Sequence, residues 1–231
     1  MLIIACFLTL CLLLVIGVSV PMAFGAVLLL IATFGGHDVS GFMPAGHWKM
    51  TSIVLLAIPL FILAGGIMER GKIALPLVQL AELLIGQIKG GLSAASVIAS
   101  AIFGSISGSA AATLTCIGAI MMPHLKRANY PNGLAGALIV SASPLGLLIP
   151  PSAAQILYAW VTQQSVLKCF LSTVIPGLIL VVLLCIVNFV LLRNVTDLTL
   201  PDKPANFPRE LCVRTWKAFP ALLMPLFILG G

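Results

Sequence analysis

The run Phe103-Gly104-Ser105-Ile106-Ser107-Gly108-Ser109-Ala110-Ala111-Ala112-Thr113 constrains this chain more than any other feature. It sets three serines and two glycines between stretches apolar enough for a lipid bilayer. In hydrocarbon an unpaired backbone amide costs several kcal/mol, so helix-breaking residues persist there only inside protein or beside a water-filled cavity. A second interruption, Gly146-Leu147-Leu148-Ile149-Pro150-Pro151-Ser152, falls further along another apolar stretch. Two broken segments in one membrane chain point to a transport site.

Composition agrees, with 61% hydrophobic and 8% charged residues. The net charge of +6 does not indicate nucleic acid, because the basic residues are scattered between apolar spans. The six cysteines (Cys6, Cys11, Cys116, Cys169, Cys185 and Cys212) form no CxxC pair, and five lie in apolar runs as small hydrophobes. No lysine or arginine precedes Lys49, so the N-terminal run lacks the basic region of a secretion signal. It reads as a retained membrane helix over 2–34, bent near Pro21.

The pattern predicts an all-α integral membrane protein. A second span covers 51–68, after a polar loop with His37, Asp38, His47 and Lys49. Residues 73–88 carry Gln79, Glu82 and Gln87 among leucines and read as an interfacial amphipathic helix. Two half-length pieces follow, 92–106 and 110–122, each roughly 20 Å long against a hydrocarbon core of ~30 Å. A re-entrant helical hairpin with its tip at Ser107-Gly108-Ser109 fits them. A broken transmembrane helix covers 134–158, a full span 166–192 and a polar linker 193–217. From Phe219 the chain is apolar again, too briefly to cross, and so reads as ending inside a span.

With the N-terminus inside, Arg70, Lys72, Lys89, Lys126, Arg127, Arg193, Lys203, Arg209, Arg214 and Lys217 collect on the cytoplasmic side. Only Lys49 and Lys168 fall outside, as the positive-inside rule asks.

Breaking a helix frees carbonyls at the end of one half and amides at the start of the next. Carbonyls and hydroxyls suit a hard cation such as sodium. The expected ion ligands are Ser105, Ser107, Gly108, Ser109, Ser143 and Gly146. A helix N-terminus near Ser109 faces an anion favourably. Ser107, Ser109, Ala110, Pro150, Pro151 and Ser152 are the expected substrate contacts. None of the six acids (Asp38, Glu69, Glu82, Asp197, Asp202, Glu210) falls in an expected membrane core, which favours neutral sodium coupling over a proton relay. No other cofactor and no further metal site is expected. His37, His47 and His124 read as solvated loop residues. An intramembrane serine hydrolase is disfavoured, since Ile106 stands at the wrong place for G-x-S-x-G. A non-transporting membrane scaffold or interaction fragment is the other alternative.

At these residues the chain resembles the large membrane subunit of tripartite ATP-independent periplasmic (TRAP) transporters. The likeness also runs through 56–65 (Leu-Ala-Ile-Pro-Leu-Phe-Ile-Leu-Ala-Gly), Gly90-Gly91-Leu92, Tyr130, Pro176-Gly177 and Gly230-Gly231. The resemblance implies a sodium-coupled, elevator-type symporter of organic anions in the bacterial inner membrane. Its partners would be a periplasmic substrate-binding protein and a small membrane subunit. Members have two inverted repeats, and this chain looks like the first only. On that plan 1–90 is scaffold and interfacial arm, and 91–163 the hairpin and broken helix of the transport domain. A transmembrane helix covers 164–192, a cytoplasmic linker 193–217, and the start of a truncated span 218–231. Many relatives have Asp where this chain has Thr113, so the second arm of its hairpin is neutral.

Overall fold

The computed structural model describes residues 2–35, 41–71, 73–193, 195, 198–199 and 207–230. Every regular element among them is a helix. The backbone divides into two compact units, 1–53 and 54–231.

In the first unit, α1 (Leu2–Val15) and α2 (Val20–Phe34) contact one another, and α3 (Phe42–Met50) follows. The expected single helix over 2–34 is therefore two helices. The break lies at Gly17, whose φ of +89° is a conformation other residues resist. Pro21 does not bend a helix. It sits in the first turn of α2, where its missing N–H is not needed. His47 lies on α3, not in a loop, while His37 and Asp38 lie outside the described residues.

The second unit opens with α4 (Ile53–Arg70) and α5 (Ala74–Ile85). Helix α6 (Gly91–Ser107) lies at its centre, buried along nearly its whole length and touched by α5, α7, α8, α9, α11 and α12. Its composition explains that position. Apart from Phe103 and three aliphatic residues, its middle is Ala, Ser and Gly, which lets neighbouring backbones approach. Its serines do not leave polar atoms stranded there, for Ser93 Oγ donates to Gly90 O at 2.7 Å and Ser96 Oγ to Leu92 O at 3.0 Å.

Helix α7 (Ala110–Arg127) folds back along α6. Phe103, Ile117 and Met121 share one buried core with Leu92, Leu125 and Tyr130, the last three at the base of the hairpin. Burial of Leu125 and a 2.5 Å contact from His124 Nδ1 to Glu82 Oε1 of α5 accompany α7 through Pro123. His124 is thus a paired helical residue, not a solvated loop one.

The second interrupted segment is α8 (Asn132–Ala142), α9 (Leu145–Leu148) and α10 (Ala153–Val161), with a bend of 43° at the second break. Helix α11 (Val166–Leu192) is long and apolar enough to cross a membrane, and the bent pair makes a second candidate span. Its C-terminal end meets the hairpin base, where Lys89 Nζ donates to Arg193 O at 3.1 Å and Thr199 Oγ1 to Arg127 O at 3.1 Å. Lys89, Lys126, Arg127 and Arg193 therefore share one end of the unit.

Helix α12 (Phe207–Gly230) begins inside the stretch 193–217 expected as a linker. Charges mask its helical period in the sequence. Ala218 and Ala221 pack with Leu77, Leu80 and Ile106, and Arg214 Nη1 donates to Gln79 O at 3.1 Å.

Candidate functional site

Gly108 ends α6 with φ +61°, its N–H bonded to Gly104 O at 2.8 Å. The next residue, Ser109, is extended and begins α7, its Oγ accepting from the Ala112 N–H at 3.4 Å. Thr113 Oγ1 donates back to Ser109 O at 2.9 Å and stands 3.3 Å from Ser107 Oγ. Three oxygens, Ser107 Oγ, Thr113 Oγ1 and Ser109 O, are thereby gathered inside one turn. Thr113 is fully buried.

This tip is seated on the second interruption. A Cβ at Gly108 would lie 2.9 Å from Pro151 O, and one at Gly104 only 2.5 Å from the Cα of Gly146. Glycine is required at both by close approach. Gly146 in turn faces Thr113 Oγ1 and the Ser109 carbonyl, while Gly65 of α4 lies beside the Ser107 backbone. The Pro150–Pro151 peptide is cis.

Around the tip is a 220 Å³ pocket lined by Phe61, Ile62, Ile106, Ser107, Gly108, Ser109, Leu147, Pro151, Ala153 and Ala154. The first-turn amides of a helix have no intrahelical acceptor and carry the positive end of its dipole. The cap residue of α7, Ser109, and the first two residues of α10, Ala153 and Ala154, line this pocket. Ser152, which precedes α10, is 1% exposed and its Oγ has no hydrogen-bond partner. No charged side chain lines the pocket. Among the described residues no cluster of His, Cys, Asp or Glu has the makings of a transition-metal site.

The expected ligands are distributed unevenly. Ser107, Gly108, Ser109 and Pro151 line the pocket, and Ala110 opens α7 beside it. Pro150 and Ser152 are buried in the break. Ser105 Oγ donates to Ile102 O at 2.7 Å and Ser143 Oγ to Val140 O at 2.8 Å, so both hydroxyl protons are used within their own helices. The carbonyls freed at the second break are also engaged. Gln155 Nε2 donates to Leu147 O at 2.9 Å and to Leu148 O at 3.0 Å, and Thr173 Oγ1 donates to Gln155 Oε1 at 3.2 Å. Sequence reasoning did not single out Gly65, Thr113, Gln155 or Thr173 as site residues. Gln155 had a signal, as an amide in the apolar run after Pro150-Pro151-Ser152.

The chain thus builds one pocket from apolar helices and two interrupted segments seated on one another. The sequence matches the family model described as the tripartite ATP-independent periplasmic transporter, DctM component, over residues 6–231. The chain belongs to this DctM family. It is 38% identical over 177 residues to the C4-dicarboxylate TRAP transporter large permease protein DctM of Pseudomonas aeruginosa, covering 77% of this chain and 41% of that protein. It is 32% identical over 237 residues to the ectoine/5-hydroxyectoine TRAP transporter large permease protein UehC of Ruegeria pomeroyi, covering 97% and 53%. It is 30% identical over 216 residues to the sialic acid TRAP transporter large permease protein SiaM of Vibrio cholerae, covering 92% and 50%. The chain spans about half the length of these relatives or less. They are permeases, not enzymes. Consistent with that, His124 is paired with Glu82 and is not offered to a serine.

Proposed function

We propose that this chain forms the first half of a sodium-coupled permease that moves small organic anions across the bacterial inner membrane. A periplasmic binding protein would deliver the substrate, and a small membrane subunit would complete the complex. One observation carries this reading: Ser109, the cap of α7, and Ala153 and Ala154, the first residues of α10, line one uncharged pocket together with Ser107 and Gly108 of the hairpin tip. Such a pocket supplies donors and positive dipole ends to a carboxylate without burying a counter-ion. C4-dicarboxylates and sialic acid, carried by the named relatives, are carboxylates, and so is zwitterionic ectoine.

The coupling ion would be sodium, held by Ser107 Oγ, Thr113 Oγ1 and the Ser109 carbonyl, with carbonyls of 105–108 and the Ser143–Gly146 turn nearby. The hairpin would be re-entrant, its tip near the bilayer midplane. Its base would be cytoplasmic, where the positive-inside rule puts the cluster of Lys89, Lys126, Arg127 and Arg193. The N-terminus would be cytoplasmic too. In an elevator cycle the hairpin and broken helix would move against a scaffold formed by the earlier helices. Crosslinks from the small subunit should then fall on α1 and α2, not on Ser152.

Sodium titration of uptake tests the reading. Ser107→Ala and Thr113→Val should each raise the sodium concentration for half-maximal uptake about tenfold, the effect expected when one ligand to a buried partner is lost. Unchanged sodium dependence in both variants would refute the assignment. Membrane-impermeant maleimide should label Lys89→Cys and Lys126→Cys only from the cytoplasmic side, and labelling from outside would refute the hairpin topology.

A further inference from the structure

We propose that Gln155 is a positioning residue for the pocket, a side-chain bracket that takes the place of the backbone hydrogen bonds lost at the second break. This rests on the transport reading above and adds a residue to it. A helix interrupted by Pro150 and Pro151 leaves carbonyls upstream without their usual N–H partners. In a bilayer such carbonyls must be satisfied by protein or water. Gln155 Nε2 reaches back across the break to two of them, Leu147 O at 2.9 Å and Leu148 O at 3.0 Å. An amide nitrogen has two hydrogens, so both bonds can form together.

The other end of the amide is held as well. Its Oε1 lies 3.2 Å from Thr173 Oγ1 of α11, whose single proton is shared between Gln155 Oε1 and Phe170 O at 2.9 Å. One helical turn further on, Gly177 leaves room for the Ile149 side chain, which a Cβ there would meet at 3.0 Å. The bracket therefore ties α9, α10 and α11 at one point. Gln155 does not line the pocket, but Leu147 on one side of its bracket and Ala153 and Ala154 on the other do. Their spacing across the break sets where the first-turn amides of α10 point. Removing the bracket frees two carbonyls and lets α10 swing relative to the hairpin tip.

The test pairs a structural with a functional readout. Amide hydrogen exchange of the full chain in lipid nanodiscs should quicken about tenfold over 145–156 in Gln155→Ala. It should quicken less in Thr173→Val and not at all in Thr173→Ser, which keeps the hydroxyl, and the base peptide 91–100 should stay as in the wild type. If Gln155→Ala accelerates exchange everywhere, the pair Thr173→Val and Thr173→Ser decides the outcome alone. In transporter assembled with the second-half polypeptide, small subunit and binding protein, Gln155→Ala should raise KM for a C4-dicarboxylate about tenfold, with kcat changed less than about twofold. Unchanged exchange over 145–156 overturns the bracket. Faster exchange with an unchanged KM overturns its positioning role. Absence of uptake by the wild-type assembly overturns the transport reading instead, and the exchange comparison still decides the bracket.

Discussion

On the second interrupted segment, Gly146, which faces the hairpin tip, and Gly136, which does not, make a matched pair of tests. A Cβ at Gly146 would run into Thr113 Oγ1 and the backbone of Ser109, 2.8 Å from its carbonyl oxygen. At Gly136 the nearest atom is Met122 Cε at 4.0 Å. Gly146→Ala should therefore destabilise the protein by about 1–3 kcal/mol through overpacking, whereas Gly136→Ala should stabilise it by up to about 1 kcal/mol through helix propensity. Thermal unfolding in detergent reads both, and equal shifts would show that Gly146 is not a contact residue. Thr113→Val, which keeps the shape and removes the hydroxyl bonded to Ser109 O, should cost about 1 kcal/mol. The sequence made the serines and glycines of the tip visible because polar and flexible residues stand out in an apolar run. It could not say which hydroxyls are free. Ser105 and Thr113 look alike in sequence and both donate back along their own helix, yet Thr113 Oγ1 also stands 3.3 Å from Ser107 Oγ across the tip.

The helices themselves were legible wherever composition changes sharply. The span at 166–192 and the interruptions at Gly108-Ser109 and Pro150-Pro151 lie where apolar runs and turn residues placed them. The elements that were not legible share a physical cause. Gly17 ends α1 through a backbone conformation that leaves no mark in hydropathy, and α12 conceals its apolar face among Arg209, Arg214 and Lys217. His124 lies on α7, which continues through Pro123, and its partner Glu82 is 42 positions away in sequence. At the base of the hairpin, Tyr130 gives a pH test. Burial raises its pKa above 10.0, and this outweighs the opposing effect of the adjacent Ser93 side chain and backbone. Above pH 10 an unfolded chain sheds this proton while the folded one keeps it. The stabilising contribution is thus complete below pH 10 and lost as pH rises through the folded-state value. Tyr130→Phe should flatten the alkaline fall in stability, and an unchanged pH profile would show that this phenol does not contribute to it. Ser109→Ala removes the cap of α7 and should cost about 1 kcal/mol in the same unfolding assay.

For the whole molecule, the decisive relation is between a chain of 231 residues and relatives about twice that length. The pocket here is built from one hairpin, one broken helix and Phe61 and Ile62 of α4, whereas inverted-repeat transporters build their site where two sets of interrupted helices meet. The polar edges at Ser107–Ser109 and Pro150–Ser152 would then need a counterpart to keep them out of lipid. The most direct measurement is sodium-driven uptake of labelled C4-dicarboxylate, ectoine and sialic acid into proteoliposomes containing this chain, the small subunit and a cognate binding protein. It should be run with and without a second-half polypeptide of the family. Uptake of at least one of these substrates is expected only when the second half is present and an inward sodium gradient is imposed, with sodium affinity weakened by Ser107→Ala. Uptake by this chain without the second half, or uptake indifferent to sodium, would contradict that expectation.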